Sequence, residues 1–286
     1  MTGAPGVPLR HFRPRVGSEE LGCSAAAPAA RAAAAGPALT AVLLHGAGTA
    51  DRAPLAGMMA DFAARGVHAL TFDFAGHGDS TGRLPGQSLQ RRFDQARAVI
   101  DRHVPGGHRL VLVGFSMSGQ TVADLAAHHG TRVAALGLCA PAVYAADAWS
   151  VPFGPDFTRI IRASGSWRSS PAFDVFRSVR SRAVLAVPET DAVVPEAVTD
   201  AVAAALGSGR ARFARLLQTG ADHRLGAWFS DRPEPRGRFV GSLLDSLLDP
   251  LPDVLPDAVT DAATDAVTDA FTDAFTDAFT DGAQRA

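Results

Sequence analysis

The stretch Gly114-Phe115-Ser116-Met117-Ser118-Gly119 lies between two segments of different periodicity. Before it runs Leu110-Val111-Leu112-Val113, a short apolar run of the kind found in buried strands. After it, Gln120 to His129 puts Val122, Leu125 and Ala126 on one face of a helix. A strand that turns sharply into a helix brings two backbones close together, so small residues are needed on both sides of the bend. The residue at the bend is held in a strained conformation with its side chain pointing outward. A serine there exposes its hydroxyl at the carboxyl end of a strand. The next amide, that of Met117, opens a helix, where N–H groups lack partners and favour negative charge. This is the pattern of a nucleophile elbow, G-x-S-x-G, with Ser118 in place of the second glycine.

Working outward, buried strands alternate with helices. Ala41 to Leu44 is a strand running into His45-Gly46-Ala47-Gly48, and Asp51 to Arg65 is a helix. Val67 to Phe72 is a strand that leads into Asp73-Phe74-Ala75-Gly76-His77-Gly78-Asp79-Ser80. Ser88 to His103 is a helix with Phe93, Ala96 and Ile100 inward. Strands at 133–138, 183–187 and 212–217 follow, with helices at 195–206 and 236–248. Residues 7–16 and 21–26 suit edge strands, since Pro8 and Pro14 cannot donate to a ladder. The alternation predicts an α/β fold with a doubly wound, mostly parallel sheet, whose ligands bind beyond the carboxyl ends of the strands.

Residues 140–181 break the rhythm with four prolines and the aromatics Tyr144, Trp149, Phe153, Phe157, Trp167, Phe173 and Phe176. An insertion this long is either a lid over the site or a covering of irregular structure. Its aromatics either line an acyl pocket or pack the insertion on the body. The expected organisation is one domain over 1–248, with a lid insertion at about 140–181, and an acidic low-complexity tail over 249–286. The tail repeats Asp every fourth residue, a spacing at which like charges repel in a helix, and it is expected to be disordered or partly helical. It holds nine aspartates against one arginine, a charge of −8, whereas the whole chain carries −2. The body is therefore mildly basic, and the tail could rest on it.

Composition excludes several classes. No run of about 18 apolar residues exists, so no membrane span is expected. Arg10, Arg13 and Arg15 interrupt the N-terminal segment, and no signal peptide is expected. Two cysteines, Cys23 and Cys139, give neither a disulfide framework nor a zinc spacing. All 27 basic residues are arginine, which removes lysine Schiff-base chemistry and a lysine-bearing phosphate loop. The arginines form no dense cluster with interleaved aromatics, so no nucleic-acid partner is expected. A cytoplasmic enzyme without metal or cofactor is the default.

A serine hydroxyl is a weak nucleophile at neutral pH and needs a base held in one tautomer by a carboxylate. On a sheet of this kind the three parts come from three strand ends in chain order Ser, acid, His. Ser116 is the first. The strand end after the insertion presents Asp191, and the next presents His223, the one histidine of nine that follows Asp191. Glu189 is a rival acid, and Asp191 is preferred because it precedes the Val193-Val194-Pro195 that starts the helix. Asp222 reads as a loop carboxylate, His45 as structural beneath the glycine loop, His77 as a loop residue, and Ser118 as a local hydrogen bonder. The amides of Met117 and Ala47 are the candidate oxyanion donors.

At these residues the sequence resembles the α/β-hydrolase superfamily of serine hydrolases over roughly 38–248. The matching motifs are Leu44-His45-Gly46, Asp73 to Ser80, the elbow, Asp191 with Val194-Pro195, and Asp222-His223. The resemblance implies Ser116 as nucleophile, His223 as general base and Asp191 as its orienter. It implies an esterase or thioesterase acting on a small-molecule acyl substrate through an acyl-serine. An acyltransferase or peptidase with the same residues, a lyase, and a non-catalytic binding protein are the alternatives. Dehalogenases and epoxide hydrolases of the superfamily use a carboxylate nucleophile, which serine at 116 argues against.

Overall fold

The computed structural model describes residues 7–28 and 38–248. The acidic tail of 249–286 lies outside the described residues. Ten strands run in chain order as β1 (Arg10–Phe12), β2 (Arg15–Val16), β3 (Glu19–Glu20), β4 (Cys23–Ala26), β5 (Leu39–Leu44), β6 (His68–Phe72), β7 (Arg109–Phe115), β8 (Val133–Cys139), β9 (Arg182–Pro188) and β10 (Arg212–Gln218). Eight of them form one sheet in the order β1-β4-β6-β5-β7-β8-β9-β10. β5 to β10 are mutually parallel, and β4 and β1 join one edge antiparallel. β2 and β3 form a separate two-stranded ladder.

The inner strands are apolar on both sides because helices cover both faces. On β5, Val42 and Leu44 face one core, while Ala41 and Leu43 face the other. The first face is covered by α2 (Leu89–His103), α3 (Ser118–His129), α5 (Ala172–Ser178) and α6 (Glu196–Gly207). The second is covered by α1 (Ala56–Ala64), α7 (Leu225–Ser230) and α8 (Pro233–Leu248). The helix expected from Asp51 begins with a 3-10 turn at Ala53–Leu55, since Pro54 suits a first turn. α7 has no counterpart in the sequence expectation; six residues are too few to show a helical period.

The segment 140–181 contains α4 (Pro155–Arg162) and α5. Tyr144, Phe153, Phe157, Phe173 and Phe176 are buried in the first core, so they pack the segment on the body. In α2, Ser88 caps the helix by accepting the Arg91 amide at 3.2 Å. Leu89, Ala96, Val99 and Ile100 are buried, but Phe93 is only partly so. The inward place one turn before Ala96 belongs to Arg92, which is 1% exposed.

Candidate active site

The elbow is the turn between β7, at the middle of the sheet, and α3. Ser116 has φ 50°, a left-handed value that a residue with a Cβ rarely adopts. Three backbone bonds hold it there: its amide donates to Cys139 O at 2.9 Å, and its carbonyl accepts from Gly119 at 2.8 Å and Ala142 at 2.9 Å. The neighbouring strand β8 ends in the same manner, with Ala140 at φ 46°. A Cβ on Gly114 would lie 2.5 Å from the Ser118 carbonyl oxygen, so the first glycine of the motif is required by close approach.

Three loops meet above this turn. His223 Nε2 is 2.9 Å from Ser116 Oγ, and His223 Nδ1 is 2.9 Å from Asp191 Oδ2. Asp191 uses its other oxygen to accept the amides of Val193 and Val194, each at 2.8 Å, so its carboxylate is held by its own loop. The loops after β9 and β10 are laced together: Glu189 N donates to Gln218 O, Thr190 N to Ala221 O, and the Glu189 carboxylate accepts the Gly220 amide at 2.6 Å. Glu189, the rival acid, is thereby engaged away from the imidazole. Asp222 accepts the amide of Arg224 at 2.9 Å within its own turn.

Ser116 opens on a cavity of about 510 Å³, walled by the 45–51 loop, Pro54, Leu55, Phe115, Val193 and the 223–227 segment. None of the aromatics of 140–181 lines it. Met117 is the N-cap of α3, where the amide has no intrahelical role. Ala47 lies across the cavity on the glycine loop. Gly46 packs against Ser116: a Cβ there would stand 3.2 Å from Ser116 Cβ.

Ser118 does not bond locally. Its hydroxyl donates to His45 O at 2.6 Å, 73 residues away, and accepts from Arg92 Nη2 at 2.9 Å. The side chain that replaces the usual glycine therefore reaches across and ties α3 to the loop. His45 is neutral. Burial first, and then the neighbouring His77 and Arg92, hold it well below the ordinary imidazole range. Its Nε2 accepts the Phe74 amide at 3.0 Å, which leaves Nδ1–H to donate to Gly46 O at 2.8 Å. Below the loop, Asp73 is wholly buried and takes the Arg52 guanidinium, the Arg52 amide at 2.7 Å and the Asp79 amide at 2.9 Å. That carboxylate shapes the turn Gly76 to Ser80, and neither it nor Arg52 lines the cavity.

Burial of imidazoles contributes to the pH dependence of stability. Burial pushes His77 down to about 4 from 6.5, with Arg92 adding to the effect. Between these values the unfolded chain binds a proton that the folded chain does not. Lowering the pH therefore favours unfolding, by about 1.4 kcal/mol per pH unit for that one group. His45 acts in the same direction. Asp124 opposes: burial raises it to about 6, so below that pH the folded chain takes up a proton earlier than the unfolded chain. The two histidines outnumber the one aspartate. Urea midpoints are expected to fall from pH 7 to pH 5, and His77→Gln is expected to flatten the fall. A flat or rising midpoint in the native chain contradicts this account.

The sheet order, the strained turn after its central strand and the helices on both faces define the class: the chain has the α/β-hydrolase fold. Residues 36–171 match the family model described as serine aminopeptidase, S33, a span that includes Ser116 and stops before Asp191 and His223. A search of the curated proteins finds no match. Solved structures share the fold. A putative hydrolase from Agrobacterium vitis is 22% identical, with TM-score 0.58 over 86% of this chain and 100% of that one. Est1E from Butyrivibrio proteoclasticus, solved with ferulic acid bound, is 15% identical, with TM-score 0.60 over 82% and 99%. The thioesterase domain from the curacin biosynthetic pathway is 15% identical, with TM-score 0.60 over 82% and 99%. Among the described residues no helix is long and apolar enough to cross a membrane, and no cluster of His, Cys, Asp and Glu could hold a metal ion.

Proposed function

We propose that this protein hydrolyses carboxylic esters or thioesters of small acyl substrates through an acyl-serine intermediate. The observation that carries the proposal is the row Asp191–His223–Ser116, with 2.9 Å at each junction, facing a cavity. Ser116 Oγ attacks the acyl carbon while His223 Nε2 takes its proton, and Asp191 keeps the imidazole in the tautomer that can do so. The oxyanion accepts from the amides of Ala47 and Met117, and each such donor contributes on the order of 3 kcal/mol to lowering the barrier. His223 then protonates the departing alcohol or thiol, and water repeats the sequence to free the acid. No cofactor enters these steps. Esterase and thioesterase neighbours on the same fold support this reaction class.

The match to a serine aminopeptidase model favours a second reading, cleavage of an aminoacyl amide by the same residues. A panel of p-nitrophenyl esters of increasing acyl length, acyl thioesters and aminoacyl p-nitroanilides separates the two. Ester or thioester turnover, together with labelling by a fluorophosphonate probe that maps to Ser116, is the expected result. Turnover of the anilides alone would favour the peptidase. Absence of both turnover and label would refute a nucleophilic Ser116.

A further inference from the structure

Arg92 is buried at the base of the loop that carries Ala47, and nothing in the reaction above uses it. Its guanidinium enters no ion pair among the described residues, and Nε and Nη1 have no hydrogen-bond partner there. Burial lowers it to about 9, which leaves it charged at neutral pH. Taking such a charge out of water without a counter-ion is unfavourable, so the fold carries a penalty at this position. Among the described residues Arg92 meets the face of Phe74, whose ring centre lies 3.6 Å from the guanidinium carbon, and three acceptors on Nη2.

Those acceptors have a direction in common. They are His45 O at 2.7 Å, Ser118 Oγ at 2.9 Å and Gly46 O at 3.3 Å. Gly46 O also accepts His45 Nδ1–H. The peptide bond is planar and trans, so its C=O and N–H point opposite ways. The Gly46 carbonyl and the Ala47 N–H belong to one such plane. Drawing the carbonyl toward Arg92 and His45 turns the Ala47 N–H the other way, and Ala47 lines the cavity on which Ser116 opens. Donation to the carbonyl also polarises the amide, so that its N–H becomes a better donor. Ser118 extends the same clamp to α3, which begins at the second candidate donor, Met117.

From this geometry we infer that Arg92, through the His45 and Gly46 carbonyls, is a positioning residue for the oxyanion hole, aiming the Ala47 N–H and adding fixed positive charge behind it. The assignment rests on the hydrolase reading above. Its role is in the transition state, where an oxygen becomes negative, and not in ground-state binding. Removing a direct donor costs about 10²- to 10³-fold in kcat, and an indirect support is expected to cost less, about ten- to a hundredfold.

The test compares the native chain with Arg92→Met, which fills the same space without charge, and Arg92→Lys, which keeps a charge but loses the fork. Each is assayed on a p-nitrophenyl ester and with a phenylboronic acid, which forms an anionic tetrahedral adduct on an active serine. Arg92→Met is expected to lower kcat about ten- to a hundredfold with KM changed less than threefold, and to weaken the boronic acid by the same factor. Arg92→Lys is expected to fall between the two and to serve alone if Arg92→Met does not fold. Folded variants with native kcat and native boronate affinity overturn the assignment, and so does a lower kcat with unchanged boronate affinity. If the native chain itself neither turns over esters nor binds the boronate, the hydrolase reading has failed, and the role assigned to Arg92 fails with it.

Discussion

Ser116→Ala is expected to reduce ester turnover by at least about 10⁴-fold, to the level left by binding and oxyanion stabilisation alone. The substitution is a clean one. Ser116 sits at φ 50°, and alanine carries the same Cβ into the same strained conformation. The three backbone bonds that hold the turn do not involve the hydroxyl. The side-chain oxygen has one partner among the described residues, His223 Nε2. Thermal midpoint and circular dichroism are therefore expected to stay near native while turnover disappears. Undiminished turnover in a folded Ser116→Ala protein would mean that the nucleophile lies elsewhere.

Asp191→Asn is expected to lower kcat on the order of 10³- to 10⁴-fold with little change in KM. The asparagine oxygen can keep the amides of Val193 and Val194, so the loop should hold its shape. Its NH₂ would then face His223 Nδ1 and donate to it. The ring proton would move to Nε2, the nitrogen 2.9 Å from Ser116 Oγ, and a nitrogen that carries a proton cannot accept one from the hydroxyl. Glu189→Gln is the matching control. Glu189 binds the Gly220 amide and does not touch the imidazole, so it is expected to cost stability in the loop and leave most of kcat in place. If Glu189→Gln removed activity and Asp191→Asn kept it, the acid would be misassigned.

The legible parts of the molecule were those governed by local periodicity. Ala41 to Leu44 of β5, Leu110 to Val113 of β7 and β8 are apolar runs because both of their faces are covered, and such runs stand out in any sequence. Gly114 and the sharp strand-to-helix turn are equally visible, since only a residue without a Cβ fits against the Ser118 carbonyl. The loops that carry Ser116, Asp191 and His223 could be located because each follows a strand, and strand ends on one side of a parallel sheet are neighbours by topology. The register that leaves 2.9 Å between their side chains is a property of the closed fold.

Other features had no such signature. The aromatics of 140–181 could serve a pocket or a core with the same spacing, and burial decides for the core at Tyr144, Phe153, Phe157, Phe173 and Phe176. Ser118 reads as a small helical residue, and its partner at His45 is 73 positions away. Arg92 occupies the stripe it shares with Ala96 and Val99, but arginine is assigned to water by default. The sequence alone determined the alternation of strands and helices, the strained serine turn and the order of the three loops, because these depend on neighbours within a few residues. Only the tertiary structure decided which polar side chains enter the core and where they point. That choice depends on whether distant carbonyls and ring faces are there to meet them, and the charge of Arg92 is tolerated in the interior only because they are.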